Sequence, residues 1–418
     1  MSGGDASAGG RELADTERLA IFSRSELLRR TGVLRDAMQR LGIDAVLATS
    51  YPNSYYLSGA PIHPFGRPMV TVVPAEGEPA MVISIIEIEH VSRQSWIRDL
   101  RTYWDYNPKP EYDNPRPPLA SLLVHLRDVL GERGLLGGRL GYEDATLPVR
   151  FLTELQSAFP AATFVPVSDV LDRQRLVLSE EELAILRAAD AIADIGQEVL
   201  IAEVRVGISA RELSERARSA MLDAVLARHP GWPFALRVGV GLGDPARGAG
   251  HSEWTTWSAE DRVRPGQVLE TVVDCIFWGY QGNVERAIVV GPLSDRVRRD
   301  YETMIEANER AIAMIRPGVT LGEVDAACKA VLSAAGHSTR SGSGLARGIV
   351  SYEGNHRLLV GDVRLYNDTP LVPNMAFSLE PDLQTQDGVY RHCNTIIVTE
   401  GGCEVDSRVR RDLIWIRE

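Results

Sequence analysis

Two glutamates, a histidine and a cysteine carry residue types from which acid–base or nucleophilic chemistry can be built. Glu285 sits in GYQGNVERAIVVG (279–291), where an apolar strand tail, Ala287 to Val290, follows a head bearing Asn283, Glu285 and Arg286. A charge at the mouth of a buried strand must be paired or functional, because burying it alone is costly. Glu380 closes the stretch AFSLE. His251 lies in the glycine-rich GDPARGAGHSEW. Imidazole titrates near neutrality, so it can take a proton from water and pass it to a leaving nitrogen, although a lone loop histidine is more often a surface residue. Cys393, in YRHCNT, reads in two ways. Thiolates attack amidine carbons readily, but a buried cysteine is more commonly a small apolar residue. Strand alternation sends its neighbour His392 to the opposite face.

An internal repeat positions these groups. RVGISARELSERARSAMLDAV (205–225) matches RPGVTLGEVDAACKAVLSAAG (316–336), each with a capping box, Ser209/Glu212 or Thr320/Glu323, ahead of an apolar helix. PGQVLETVVD (265–274) is echoed by PNMAFSLEPD (373–382). A long helix precedes each half: one starts at a Ser179/Glu182 capping box, the other spans about 294–316 and stops at Pro317-Gly318. Two similar halves imply a pseudo-two-fold domain with a site between them. Glu285 and Glu380 then lie on equivalent strands and meet. Facing carboxylates repel and one takes up a proton unless a cation lies between them. A guanidinium or amidinium suits that place; alternatively each glutamate pairs with a protein arginine, Glu285 with Arg286.

Ahead of the repeat, residues 24–42 have helical spacing ending at Gly42, IDAVLATS reads as a strand, and 68–85 as two strands about a Glu-Gly turn. The expected organisation is a disordered tail (1–20), an α/β domain (21–175) and the two-fold domain (176–418), an α/β (α+β) fold class overall. Forty-five basic against 57 acidic residues give −12, with no basic block. That argues against nucleic acid and fits an acidic cytoplasmic protein. Cys275, Cys328, Cys393 and Cys403 show no paired spacing, so no disulfide framework or zinc ribbon is expected. Neither a signal peptide nor a membrane span is expected.

At this point the chain resembles the pita-bread family of creatinase, aminopeptidase P, prolidase and methionine aminopeptidase. Most of those enzymes bind two metal ions through two Asp, one His and two Glu. The matching positions here are Val272, Asn283, Ser343, Glu380 and Cys393. One ligand in five remains, so the resemblance implies no metal and no other cofactor, because a di-metal site needs several anionic oxygens. The metal-free creatinase branch fits better. TSYPNSYYLSGAPIHPFGRPM, GAGH (248–251), Glu285-Arg286, DVRLYNDT (362–369) and SLEP resemble it in order. By that resemblance His251 is the acid/base, Glu285 and Glu380 bind and polarise a cationic end, and Arg364 with Arg67 holds a carboxylate. Phe65 and Arg67 enter from a second subunit, making a homodimer. Cys393 and Ser351 stand where creatinase has histidines at the guanidino end, and the loop bearing Trp254 and Trp257 looks longer, so creatine itself is doubtful. The expected function is metal-independent C–N hydrolysis of a small guanidino or amidino carboxylic acid. The alternatives are a lyase on a small zwitterion, an inactive peptide-binding module and, least favoured, an Xaa-Pro metallopeptidase.

Overall fold

The structure, a computed structural model, describes residues 21–62, 67–104, 118–243, 261–338, 341–349 and 359–417. His251, Phe65, Ser351, Trp254, Trp257 and the tail 1–20 lie outside the described residues. Close contacts divide the chain into two units, with the boundary after Leu171.

In the first unit the order is α1 (Arg24–Leu41), β1 (Ala45–Ala48), α2 (Tyr51–Ser58), β2 (Val70–Pro74), β3 (Ala80–Ser84), α3 (Ile88–Gln94), β4 (Asp99–Tyr103), α4 (Pro118–Glu132), β5 (Arg139–Tyr142), α5 (Val149–Ala158) and β6 (Thr163–Pro166). α1 ends where the spacing predicts, at Gly42, whose φ of 62° suits a residue without a Cβ. The strands form one mixed sheet, β4-β3-β2-β1-β5-β6. β1, β5 and β6 run parallel, whereas β2 meets both β1 and β3 antiparallel. Its core joins Leu47, Val72 and Val82 from the sheet to Leu122, Leu126 and Leu130 of α4. α6 (Ser168–Leu176) carries the chain across the boundary.

The second unit opens with α7 (Glu180–Glu203) and α8 (Ala210–Arg228), then β7 (Phe234–Gly241), β8 (Val268–Phe277) and β9 (Tyr280–Val290). Its other half follows as α9 (Asp295–Met314), α10 (Leu321–Ala334), β10 (Ala376–Leu379), β11 (Asp382–Thr385), β12 (Gly388–Arg391), β13 (Asn394–Val398), β14 (Cys403–Val405) and β15 (Trp415–Ile416). This is the helix–helix–strands order of the repeat, given twice. α7 and α10 start on complete capping boxes, and Ser209 takes the Glu212 amide at the start of α8. β8 and β9 are joined by Trp278-Gly279, both at positive φ, the type I′ geometry that fits the twist of a tight hairpin. Both strands are buried along their whole length. α7 lies so close to β9 that a Cβ on Gly282 would fall 2.3 Å from the Asp190 amide nitrogen. The close approach requires glycine there, and it lets Asp190 reach the next residue, Asn283.

Candidate active site

Glu285 and Cys393 are opposed in an antiparallel bridge, each amide bonded to the other's carbonyl at 3.3 and 3.1 Å. Opposed residues of a bridge present side chains on the same face. Glu380, just past β10, is held by its amide on Ser343 O at 2.8 Å. The two carboxylates and the thiol offer donor atoms within 4.8 Å of one another. The two halves therefore bring Glu285 and Glu380 together, but not from equivalent strands: in the register of the repeat Glu380 answers to Val272 of β8, and Cys393 to Glu285 of β9.

Their counterions differ from the sequence expectation. Arg286, on the face opposite Glu285, donates to the carbonyls of Glu285, Cys393, Val409 and Arg410 and to Asn394 Oδ1, between 2.7 and 2.9 Å. It clasps strands together and leaves the Glu285 carboxylate alone, with burial pulling its pKa down to about 10. The partner of Glu285 is Arg391, whose Nε contacts Glu285 Oε2 and whose Nη2 lies 3.2 Å from Glu270 Oε1. A second guanidinium, Arg347, donates from Nη2 to Asn283 Oδ1 at 2.9 Å and to Cys393 Sγ at 3.5 Å. Neither arginine figures in the sequence expectation. Arg391 was within reach, because the alternation that turns His392 away returns Arg391 to the face of Cys393. His392 does point away, its Nε2 lying 2.9 Å from Tyr301 Oη.

Burial dominates the electrostatics. Loss of water, reinforced by Glu380, Glu270 and Asp274 and opposed by Arg391, pushes Glu285 up to about 8. Burial, then Glu380 and Glu285, hold the Cys393 thiol well above its usual value, so Cys393 is neutral, a poor nucleophile. It donates instead, to Asn283 Oδ1 at 2.8 Å or Glu380 Oε2 at 3.2 Å. Burial works against the Arg347 charge, but Cys393, Glu380, Asp190 and Asp274 outweigh it and keep the guanidinium protonated. Asp274 has its own cation, Arg237, at 2.9 Å. Asp190, in α7, accepts from the Asn283 amide at 3.0 Å and from Thr395 Oγ1 at 2.9 Å, and so fixes the strands beneath the cluster.

Arg364 and Arg67 are the other predicted residues that the structure describes. Arg364 is half-buried against Gly342 with its Nε 3.8 Å from Asp362 Oδ2. Arg67 belongs to the first unit, where it lines a crevice of about 480 Å³ with Thr49, Ser50, Thr146 and Phe151, beyond the carboxyl ends of β1 and β5.

Residues 30–177 match the creatinase/prolidase N-terminal domain, and residues 184–400 match metallopeptidase family M24. The chain belongs to metallopeptidase family M24. Among its relatives are a creatinase from Bacillus sp., 27% identical over 92% of this chain and 90% of the relative, and an Xaa-Pro dipeptidase from Pyrococcus horikoshii, 25% identical over 90% and 96%. The solved prolidase from P. horikoshii superposes with a TM-score of 0.73 at 23% identity, covering 92% of this chain and all of that one. The dipeptidase PepE from Mycobacterium ulcerans gives 0.77 at 23% identity, covering 95% and 100%. The fold is thus the M24 pita bread behind a creatinase-type N-terminal domain, and these named relatives are hydrolytic enzymes.

Among the described residues, the donor set at this site does not fit the two metal ions of a metallopeptidase. Val272 has no donor atom, and the Ser343 hydroxyl is turned to Asp325 Oδ1 at 2.6 Å. Of the three grouped donors, Glu285 is in an ion pair with Arg391, and the neutral thiol lies against Arg347. Two fixed guanidinium cations occupy the surroundings in which divalent cations need unopposed anionic ligands.

Proposed function

We propose that this chain is a metal-independent hydrolase that cleaves a C–N bond of a small guanidino or amidino carboxylic acid. The charge inventory of the buried cluster carries this reading. Glu270, Glu285 and Glu380 face Arg347 and Arg391, an arrangement one positive charge short of neutrality. Glu380 is the carboxylate with no ion pair among the described residues, and a planar cation with paired N–H donors suits it. Glu285 lies across the cluster, its pKa near 8 placing the missing charge on a proton. Water then attacks the central carbon as His251 takes its proton, and His251 returns that proton to the departing nitrogen as the C–N bond breaks. As the carbonyl forms, the remaining hydroxyl proton also goes to the departing nitrogen, so the products are a urea-type or amide carbonyl compound and an ammonium ion that carries the substrate's charge. The creatinase among the relatives supports the substrate class.

The Glu285–Arg391 pair favours a second reading, a module that binds without turnover, because such a module has its carboxylates neutralised from within. A screen of guanidino and amidino acids, reading urea and amine release with and without chelator, separates the two. The expected result is turnover that survives chelation and is abolished in His251→Asn. Binding without turnover, unchanged in His251→Asn, makes the protein a binding module. Activity lost to chelator and restored by a divalent metal overturns metal independence.

A further inference from the structure

Arg347 is 6% exposed, and its Nε has no hydrogen-bond partner among the described residues, although Nη2 is engaged. A buried charged donor left unused is unfavourable unless a ligand supplies the acceptor. Glu380 is its opposite in charge and likewise incompletely used, accepting only from the Cys393 thiol among the described residues. One sulfur atom therefore separates a cation with a spare N–H from a carboxylate without an ion pair. Of the other two arginines beside the cluster, Arg286 is given to carbonyls and Arg391 lies against two carboxylates.

We infer that Arg347 is the specificity-determining anchor of the site, binding the anionic oxygen of a short zwitterion whose cationic end rests on Glu380. The single intervening thiol restricts the ligand to one whose two charges are a few bonds apart. This assignment rests on the reading of Glu380 as the receptor for the cation, and it gives the carboxylate to Arg347 in place of Arg364 and Arg67. A guanidinium with one N–H free beside a bonded one is a suitable receptor for a carboxylate oxygen, and lysine does not reproduce its geometry.

Three probes, titrated by calorimetry into the full chain, test it: acetate, methylguanidine and guanidinoacetate. Wild type should bind guanidinoacetate at least about tenfold more tightly than methylguanidine, the worth of one charged hydrogen bond. Arg347→Met and Arg347→Lys should both lose that margin, with methylguanidine binding unchanged and acetate binding weakened. The lysine variant keeps a buried cation and guards against misfolding of the methionine variant, and melting curves verify both. A margin that persists in the variants, or acetate and guanidinoacetate binding with no dependence on Arg347, overturns the anchor while leaving the guanidino reading intact. Acetate binding that depends on Arg347, with no affinity for methylguanidine, upholds the anchor and removes the guanidino reading. Wild type that binds none of the three overturns both.

Discussion

At the β8–β9 end of the buried cluster Arg391 bridges Glu285 and Glu270, so the charges there have partners within the protein. At the other end, among the described residues, Glu380 meets only a neutral thiol and Arg347 keeps an N–H with no acceptor. The same residue types thus serve two purposes. Desolvated charges that are fully paired hold strands in place. A desolvated charge with spare valence, as on Arg347, is retained at an energetic cost, and a receptor gives a reason for it. Glu285 and Glu380 are therefore unlike in role.

The contrast can be broken most forcefully at the closed end. Arg391→Met strands Glu270 and Glu285 without their counterion, and we expect a loss of about 3–5 kcal/mol in unfolding free energy. Denaturant unfolding measures it, and a variant within about 1 kcal/mol of wild type would show that this end is not held by the pair. At the open end the effect should fall on function. Glu380→Gln should lower kcat/KM by roughly thirty- to a thousand-fold, about 2–4 kcal/mol, with stability altered by less than about 1 kcal/mol. Equal losses from Glu380→Gln and Glu285→Gln would erase the distinction and restore two equivalent carboxylates.

The smallest expected effect is in pH dependence. Glu285 titrates near 8 in the folded chain, above the roughly 4.3 of an unfolded glutamate. Between those values the folded protein holds a proton that the unfolded chain has released. The stability this proton confers is complete below the lower value and is lost as pH rises towards the upper one, by at most about 1.4 kcal/mol per pH unit. Glu285→Gln removes the term, so its stability should vary less than that of wild type from about pH 4.3 to pH 8. Parallel curves for the two proteins would place the shared proton elsewhere in the cluster.

Local patterns made much of the fold legible. The Gly42 cap, the Ser179 and Thr320 boxes, and the two strands of 68–85 depend on neighbouring residues, and each appears where spacing places it. The repeat carried further, because two copies of one arrangement imply an axis, and the axis brings Glu285 to Glu380. Adjacency misled where it stood in for geometry: Arg286 follows Glu285 but alternation puts the two on opposite faces.

By itself, then, the sequence determined the elements, the two-fold plan and the meeting of two carboxylates, since periodicity and repetition are properties of the chain. Only the tertiary structure decided which cations neutralise them. Arg347 lies far from the glutamates in sequence with nothing local to mark it, and alternation sets Arg391 on the face of Cys393 without naming Glu285 as its partner. That choice depends on water being excluded from one particular cluster. Exclusion of water, which raises Glu285 and keeps Cys393 neutral, arises only when the strands and α7 close over it.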